Sequence, residues 1–273
     1  MSNSERGLLI EELILSLFLR SLVIALIVVS ATLVAERVNP FYASLIGAFP
    51  TSAGPAYVML ALKEDAAFLA ESAISSMSAM AAVAPFMTVI IWVAPRTNIF
   101  YTIICGLSVW SLFAIPISQL VWGPFSAFVL NLFIFSTCFW LTRKLHVTVI
   151  VPIEQVVSWN ELMLRGFFVG CFVATLVTAS NLLGPLGVGI GAVFPIVFLS
   201  LVIVLYLRQG GALVAATMYN ALRTVSGMVI VFLVLGYSVQ FWGSAIGLTA
   251  AFLMSVLWVL IMVTYHRWAS RPA

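Results

Sequence analysis

Runs of apolar residues follow one another along almost the whole chain, and only short segments with charge, proline or glycine separate them. A helix needs about 20 such residues to cross the hydrocarbon layer of a bilayer. Of the 273 residues, 63% are hydrophobic and only 8% are charged, which is too little polar surface for a fold that faces water on all sides. The sequence therefore predicts an all-α polytopic membrane protein.

Gaps in the apolar pattern divide the chain into about nine transmembrane helices. The polar segment 143–165 is interpreted as a surface linker. With the N-terminus outside, eight basic residues between Arg37 and Arg271 fall on the cytoplasmic side, so the positive-inside rule predicts an outer N-terminus and a cytoplasmic C-terminus. The predicted helices cover residues 13–35, 42–62, 66–93, 98–116, 119–142, 166–182, 186–207, 211–236 and 240–265.

The two halves of the chain align with each other when one is shifted by 145 positions. In so apolar a sequence, coincident prolines and basic residues are the informative matches, and they favour a diverged duplication. The alternative is a chance register among similar apolar helices. The matched pairs are Arg20 with Arg165, Pro40 with Pro185, Pro50 with Pro195, and Lys63 with Arg208.

A second match fixes the relation between the copies. Trp122-Gly123 aligns with Trp242-Gly243 at a shift of 120, so the first copy holds 25 additional residues, enough for one extra span. An odd number of crossings then separates the two copies, which predicts inverted-topology repeats. The first repeat with its extra span covers 1–142, and the second covers 166–273.

The first copy also carries a short motif that can be compared with known families. Its residues are Asn39-Pro40-Phe41-Tyr42-Ala43, Ile46, Phe49-Pro50-Thr51, Ala56-Tyr57 and the charged turn Lys63-Glu64-Asp65. Over about the first 90 residues, and more weakly over 162–265, the chain resembles GlpM, a family of short bacterial inner-membrane proteins linked in some bacteria to exopolysaccharide production. The resemblance implies a multi-pass location in the bacterial inner membrane. The present chain differs in being doubled and in having an extra span.

Arg223 is the best candidate for a functional residue, since it lies near the middle of the predicted span 211–236. A charged side chain at that depth is costly and normally faces a cavity, a partner or a substrate. Tyr219 and Asn220 lie within one turn of it and join it as candidate substrate-binding residues. A purely structural arginine is the alternative interpretation.

Three further residues are candidates for the same site. Glu71 is expected about one and a half turns into span 66–93, where it either pairs with Arg223 across the repeat axis or lies at the membrane interface. Pro50 breaks or kinks the second span, as Pro195 does the seventh, and such matched breaks often mark transporter sites. Thr51 would offer a hydroxyl there, and an ordinary proline kink is the alternative.

The sequence contains no recognisable enzyme motif. Its cysteines are Cys105, Cys138 and Cys171, which lie singly in apolar runs, so neither a metal nor another cofactor is expected. No basic block favours nucleic-acid binding. The leading interpretation is a secondary transporter or flippase-like permease for a small polar molecule, with anionic and lipid-linked molecules among the candidates. The alternative is a non-transporting subunit that assists exopolysaccharide or envelope assembly, and a homodimer or an envelope partner fits either interpretation.

Overall fold

The computed structural model describes residues 53–144 and 159–269, and every regular element within these ranges is a helix. The predicted span 13–35, the beginning of 42–62 and most of the linker 143–165 lie outside the described residues. The helices are α1 (Ala53–Ala61), α2 (Ala66–Val93), α3 (Ile99–Ser118), α4 (Pro124–Lys144), α5 (Trp159–Thr178), α6 (Ser180–Ala192), α7 (Ile196–Gln209), α8 (Gly211–Val225) and α9 (Met228–Ala269).

Helix α2 is the centre of the molecule. Every residue from Leu69 to Met87 is buried except Glu71 and Ile74. The reason is that five helices pack against α2, namely α3, α4, α6, α8 and α9. Its N-terminus is capped by Asp65, whose side chain accepts from the Phe68 N–H at 2.8 Å. The many alanines and serines of α2 allow its neighbours to approach closely.

Helices α3 and α4 form a pair beside α2. The turn at Arg96 sends α3 back along α2, so that Gly106 faces Phe86 and Ile90. Helix α4 then runs in the same direction as α2, and Asn131 near its middle donates to the Met77 carbonyl at 2.6 Å. Much of the outer surface of this pair consists of large apolar side chains, including Phe100, Leu112 and Phe133, as a lipid-facing surface requires.

Helices α6 and α7 form one broken element that runs in the same direction as α2. It begins beside the α1–α2 turn, where Ser180 contacts Lys63, and it ends where Tyr206 donates to the Thr97 carbonyl. The two helices are bent by 40° at residues 193–195. Pro195 has no N–H and cannot continue the helical ladder, so the structure contains the break that the sequence predicts at this proline.

The last helices fold into a hairpin. Helix α8 starts beside Ala94 and the first part of α9 passes Ala70 at Gly236, so this segment runs antiparallel to α2. At Gly243 the backbone has φ 83° and ψ 171°, a conformation that is essentially restricted to glycine. The chain reverses direction at Gly243. Contacts between the segments on either side show this: Gly247 packs on Val239, and the Trp258 indole donates to the Thr224 carbonyl at 2.8 Å.

Several of these helices are long and apolar enough to cross a membrane. Within the described residues four helical segments meet this condition, or five when the bent α6–α7 element is included as one span, and the last of the four contains the reversal at Gly243. This supports a multi-pass membrane protein. The four segments are Ala66–Val93, Ile99–Ser118, Pro124–Arg143 and Gly211–Tyr265.

Candidate functional site

Arg223 lies at mid-depth in the helical bundle. Gly211, at the start of α8, packs on Ala94 at one end of α2, and Gly236 packs near Ala70 at the other end. Arg223 is 12 residues after Gly211 and 13 before Gly236, which places it ~18 Å along the helix axis from the α7–α8 turn. The guanidinium therefore belongs to the middle of the bundle and not to either end.

Among the described residues, the side chain of Arg223 forms its hydrogen bond and its ring contact within its own helix. Its Nη2 donates to the Tyr219 hydroxyl at 2.5 Å, and its guanidinium carbon lies 4.5 Å from the centre of the Tyr219 ring. The side chain is otherwise exposed. Within the described ranges no carboxylate lies within ion-pair distance of it. The hydrogen bond to Tyr219 occupies one N–H donor of the Arg223 guanidinium. The other donors can bind an anion.

The N-terminus of α7 lies at the same depth as Arg223. Ile196 is 14 residues before Gly210 and Arg223 is 13 residues after it, and α7 and α8 pack against each other on either side of that turn. Pro195 provides no side-chain cap, so the N–H groups of the first turn carry the partial positive charge of the helix dipole. The Arg223 guanidinium and the N-terminus of α7, both electropositive, therefore lie at the same depth in the bundle.

Of the remaining candidates from the sequence, Glu71 and Asn220 are described, and neither forms a hydrogen bond or an ion pair with Arg223. Glu71 is exposed and lies one turn and a half from the Asp65 cap, and it makes no ion pair among the described residues. Asn220 is exposed on the same helix as Arg223 without touching the guanidinium. Pro50 and Thr51 lie outside the described residues.

A polar interface that the sequence did not reveal joins α2 to α6. Ser75 donates to the Leu186 carbonyl at 2.9 Å and Ser76 donates to the Gly189 carbonyl at 2.7 Å. The Tyr57 hydroxyl of α1 lies 2.8 Å from Ser76 Oγ. These serines and glycines let the two helices pack closely, and the hydroxyls add hydrogen bonds to carbonyls across the interface. The only sequence signal was a run of serines on α2 opposite closely spaced glycines on α6.

A second polar cluster fastens the α1–α2 turn to the α5–α6 junction. Lys63 Nζ donates to the Val177 and Thr178 carbonyls, each at 3.2 Å, and to Ser180 Oγ at 2.6 Å. Ser180 in turn donates to Glu64. Because Lys63 satisfies the carbonyls at the end of α5, this cluster is best explained as a helix cap.

No group of three or more potential metal-ligating side chains occurs in the described part of the chain. The arrangement around Arg223 is suited to binding a negative charge. Comparison with protein families, with characterised proteins and with solved structures finds no match for this chain.

Proposed function

We propose that this protein is a secondary transporter or permease for a small anionic molecule in the bacterial inner membrane. The observation that carries the proposal is the position of Arg223. Its charge lies at mid-depth, exposed, and without a carboxylate partner in the described ranges. A charge in this position is costly, and the cost is offset where the side chain meets a substrate or a water-filled path.

The distribution of acidic residues supports an external counter-ion. The chain has nine carboxylates, and none is predicted in the middle of a span. An anion that enters the site would therefore supply the charge that the protein itself does not place there. The acidic residues are Glu5, Glu11, Glu12, Glu36, Glu64, Asp65, Glu71, Glu154 and Glu161.

The broken α6–α7 element supports the same proposal. The N-terminus of a helix that starts inside a membrane directs its dipole at bound anionic groups, as in known transporters with discontinuous helices. In this protein such an N-terminus begins at Ile196, at the depth of Arg223. The two groups would stabilise one anion from two directions.

Nine spans in two inverted repeats complete the proposed architecture. Its support is the direction of the helices that the shift of 145 aligns. Helix α1 runs towards Lys63, whereas the aligned α7 runs towards Arg208 at the opposite end. Helix α2 and the segment that begins with α8 are likewise antiparallel. A substrate site near the repeat axis is the usual arrangement in such transporters.

The test is solute flux in proteoliposomes. The purified protein should move small organic or inorganic anions in preference to neutral solutes of similar size. Arg223→Ala should abolish flux while leaving the folded fraction unchanged, since within the described part of the chain the Arg223 side chain bonds only to Tyr219 of its own helix. Arg223→Lys, which keeps the charge but loses the planar fork, should retain flux only if a point charge is sufficient.

A matched control is Arg96→Ala in the turn after α2. Among the described residues, the Arg96 side chain also interacts only with one neighbouring residue, through the Trp92 carbonyl at 2.5 Å and the Trp92 ring. This variant should transport normally. Full flux by Arg223→Ala would contradict the site. A complete lack of flux for every anion would favour the alternative that the resemblance to GlpM implies, a subunit that assists exopolysaccharide or envelope assembly.

A further inference from the structure

The interface between α2 and α6 concentrates oxygen atoms at a helix end inside the membrane. We call it the serine seam, and it consists of Ser72, Ser75 and Ser76 of α2, Tyr57 of α1, and the Leu186 and Gly189 carbonyls of α6. Ser72 and Ser76 are completely buried, and Tyr57 and Ser75 are nearly so. In a bundle that packs mainly through apolar contacts, such a concentration of oxygens needs a specific explanation.

The carbonyls at the end of α6 lack their normal helical donors. The Val193 N–H donates to Ile190 and Gly191 instead of Gly189, and the Ile196 N–H donates to Phe194 at 2.7 Å instead of Ala192. The Gly189 carbonyl therefore accepts from the Ser76 hydroxyl in place of a helical N–H. The end of α6 also carries the negative end of the helix dipole.

The side chain of Ser72 is a second, independent observation that points to a ligand in the serine seam. Its Oγ is fully buried and has no hydrogen-bond partner among residues 53–144 and 159–269. Ser72 lies three and four residues before Ser75 and Ser76, on the same face of α2. Its carbonyl lies so close to Gly189 that a Cβ on that glycine would be 2.5 Å away. A buried hydroxyl without a partner is costly unless something binds it.

We infer that the serine seam binds a sodium ion. The hydroxyls of Ser72, Ser75 and Ser76 and the carbonyls of Leu186 and Gly189 supply hard neutral oxygens, which suit a small hard cation. The helix end of α6 adds a favourable dipole, in the manner of coupling-ion sites at half-helix ends. This site is separate from Arg223 and would exist in a protein that transports nothing.

The chemistry of the seam selects among cations. Divalent cations usually require carboxylate ligands, and the seam as defined has none. A coupling proton would need a titratable group of suitable pKa, and the seam contains neither histidine nor carboxylate. A monovalent cation such as sodium satisfies both conditions.

The test is the thermal stability of the purified protein in sodium chloride against equal concentrations of N-methylglucamine chloride. Sodium should raise the unfolding midpoint in a saturable manner. Ser72→Ala should weaken the apparent sodium affinity by roughly tenfold or more. It should not lower stability in the absence of sodium, since Ser72 Oγ makes no hydrogen bond.

Ser78→Ala is the matched control, because Ser78 is equally buried on α2 but donates to the Ser75 carbonyl of its own helix at 2.8 Å. It should keep the sodium response. No difference between the two salts, or an unchanged response in Ser72→Ala, would overturn the inference. If Ser72→Ala does not fold, equilibrium binding of radioactive sodium to the unmodified protein decides, and no binding overturns it. Arg223→Ala should keep the sodium response. Full anion flux in that variant would therefore contradict only the proposed function, and a missing sodium response in the unmodified protein would contradict only the sodium site.

Discussion

The absence of one methyl group at Gly189 determines how closely α2 and α6 pack. A Cβ there would lie 2.5 Å from both the Ser72 carbonyl oxygen and Ser75 Cβ, and the first of these is backbone that cannot rotate away. The hydrogen bonds from Ser75 and Ser76 depend on this approach. A glycine at position 189 therefore allows α2 and α6 to lie close enough for these two hydrogen bonds to form.

Gly189→Ala should accordingly destabilise the protein by about 1–3 kcal/mol, the usual cost of overpacking a dense core. The control is Gly236→Ala, since a Cβ at Gly236 would lie 3.5 Å from its nearest neighbours, which is ordinary contact distance. Thermal unfolding in detergent measures both variants. Equal stability of the two would show that α2 and α6 are less tightly packed than the structure indicates.

At the scale of the element, charged turns made the helix ends of α2 predictable. The predicted span 66–93 coincides with Ala66–Val93 because Lys63-Glu64-Asp65 precedes it and Pro95-Arg96 follows it. The start of α5 at Trp159 was not predictable from hydropathy, since residues 159–165 include Asn160, Glu161 and Arg165. The hydrogen bonds of the serine seam were also beyond prediction, because they depend on which face of α2 meets α6.

The cap that Lys63 provides for α5 leads to a second prediction. Lys63→Met removes the donors to Val177, Thr178 and Ser180 but keeps the apolar stem, so the carbonyls at the end of α5 lose their partner. The expected loss of stability is about 1–2 kcal/mol, because hydrogen bonds to a charged group are strong but this side chain is one quarter exposed to solvent. Arg96→Met, which removes a bond within one helix only, should cost less when both are measured by thermal unfolding.

At the scale of the whole molecule, the basic residues are distributed unevenly between the two ends of the bundle. Arg96 follows α2, and the directions of α4 and α7 place Arg143 and Arg208 at this same end. Lys63 lies at the opposite end beside Glu64 and Asp65. Applied to these two ends, the positive-inside rule predicts that the end with Arg96 is cytoplasmic, which is the same prediction that the rule gives from the sequence.

This orientation can be tested with single cysteines in a chain from which Cys105, Cys138 and Cys171 have been removed. Leu62→Cys and Val121→Cys place exposed thiols at the end that holds Lys63, and Pro95→Cys places one at the end that holds Arg96. In intact bacterial spheroplasts, an impermeant maleimide should label the first two, and it should label Pro95→Cys only after permeabilisation. Labelling of all three from outside would mean that α2 does not cross the membrane. A reversed pattern would place Arg96, Arg143 and Arg208 outside, and would contradict the charge rule for this protein.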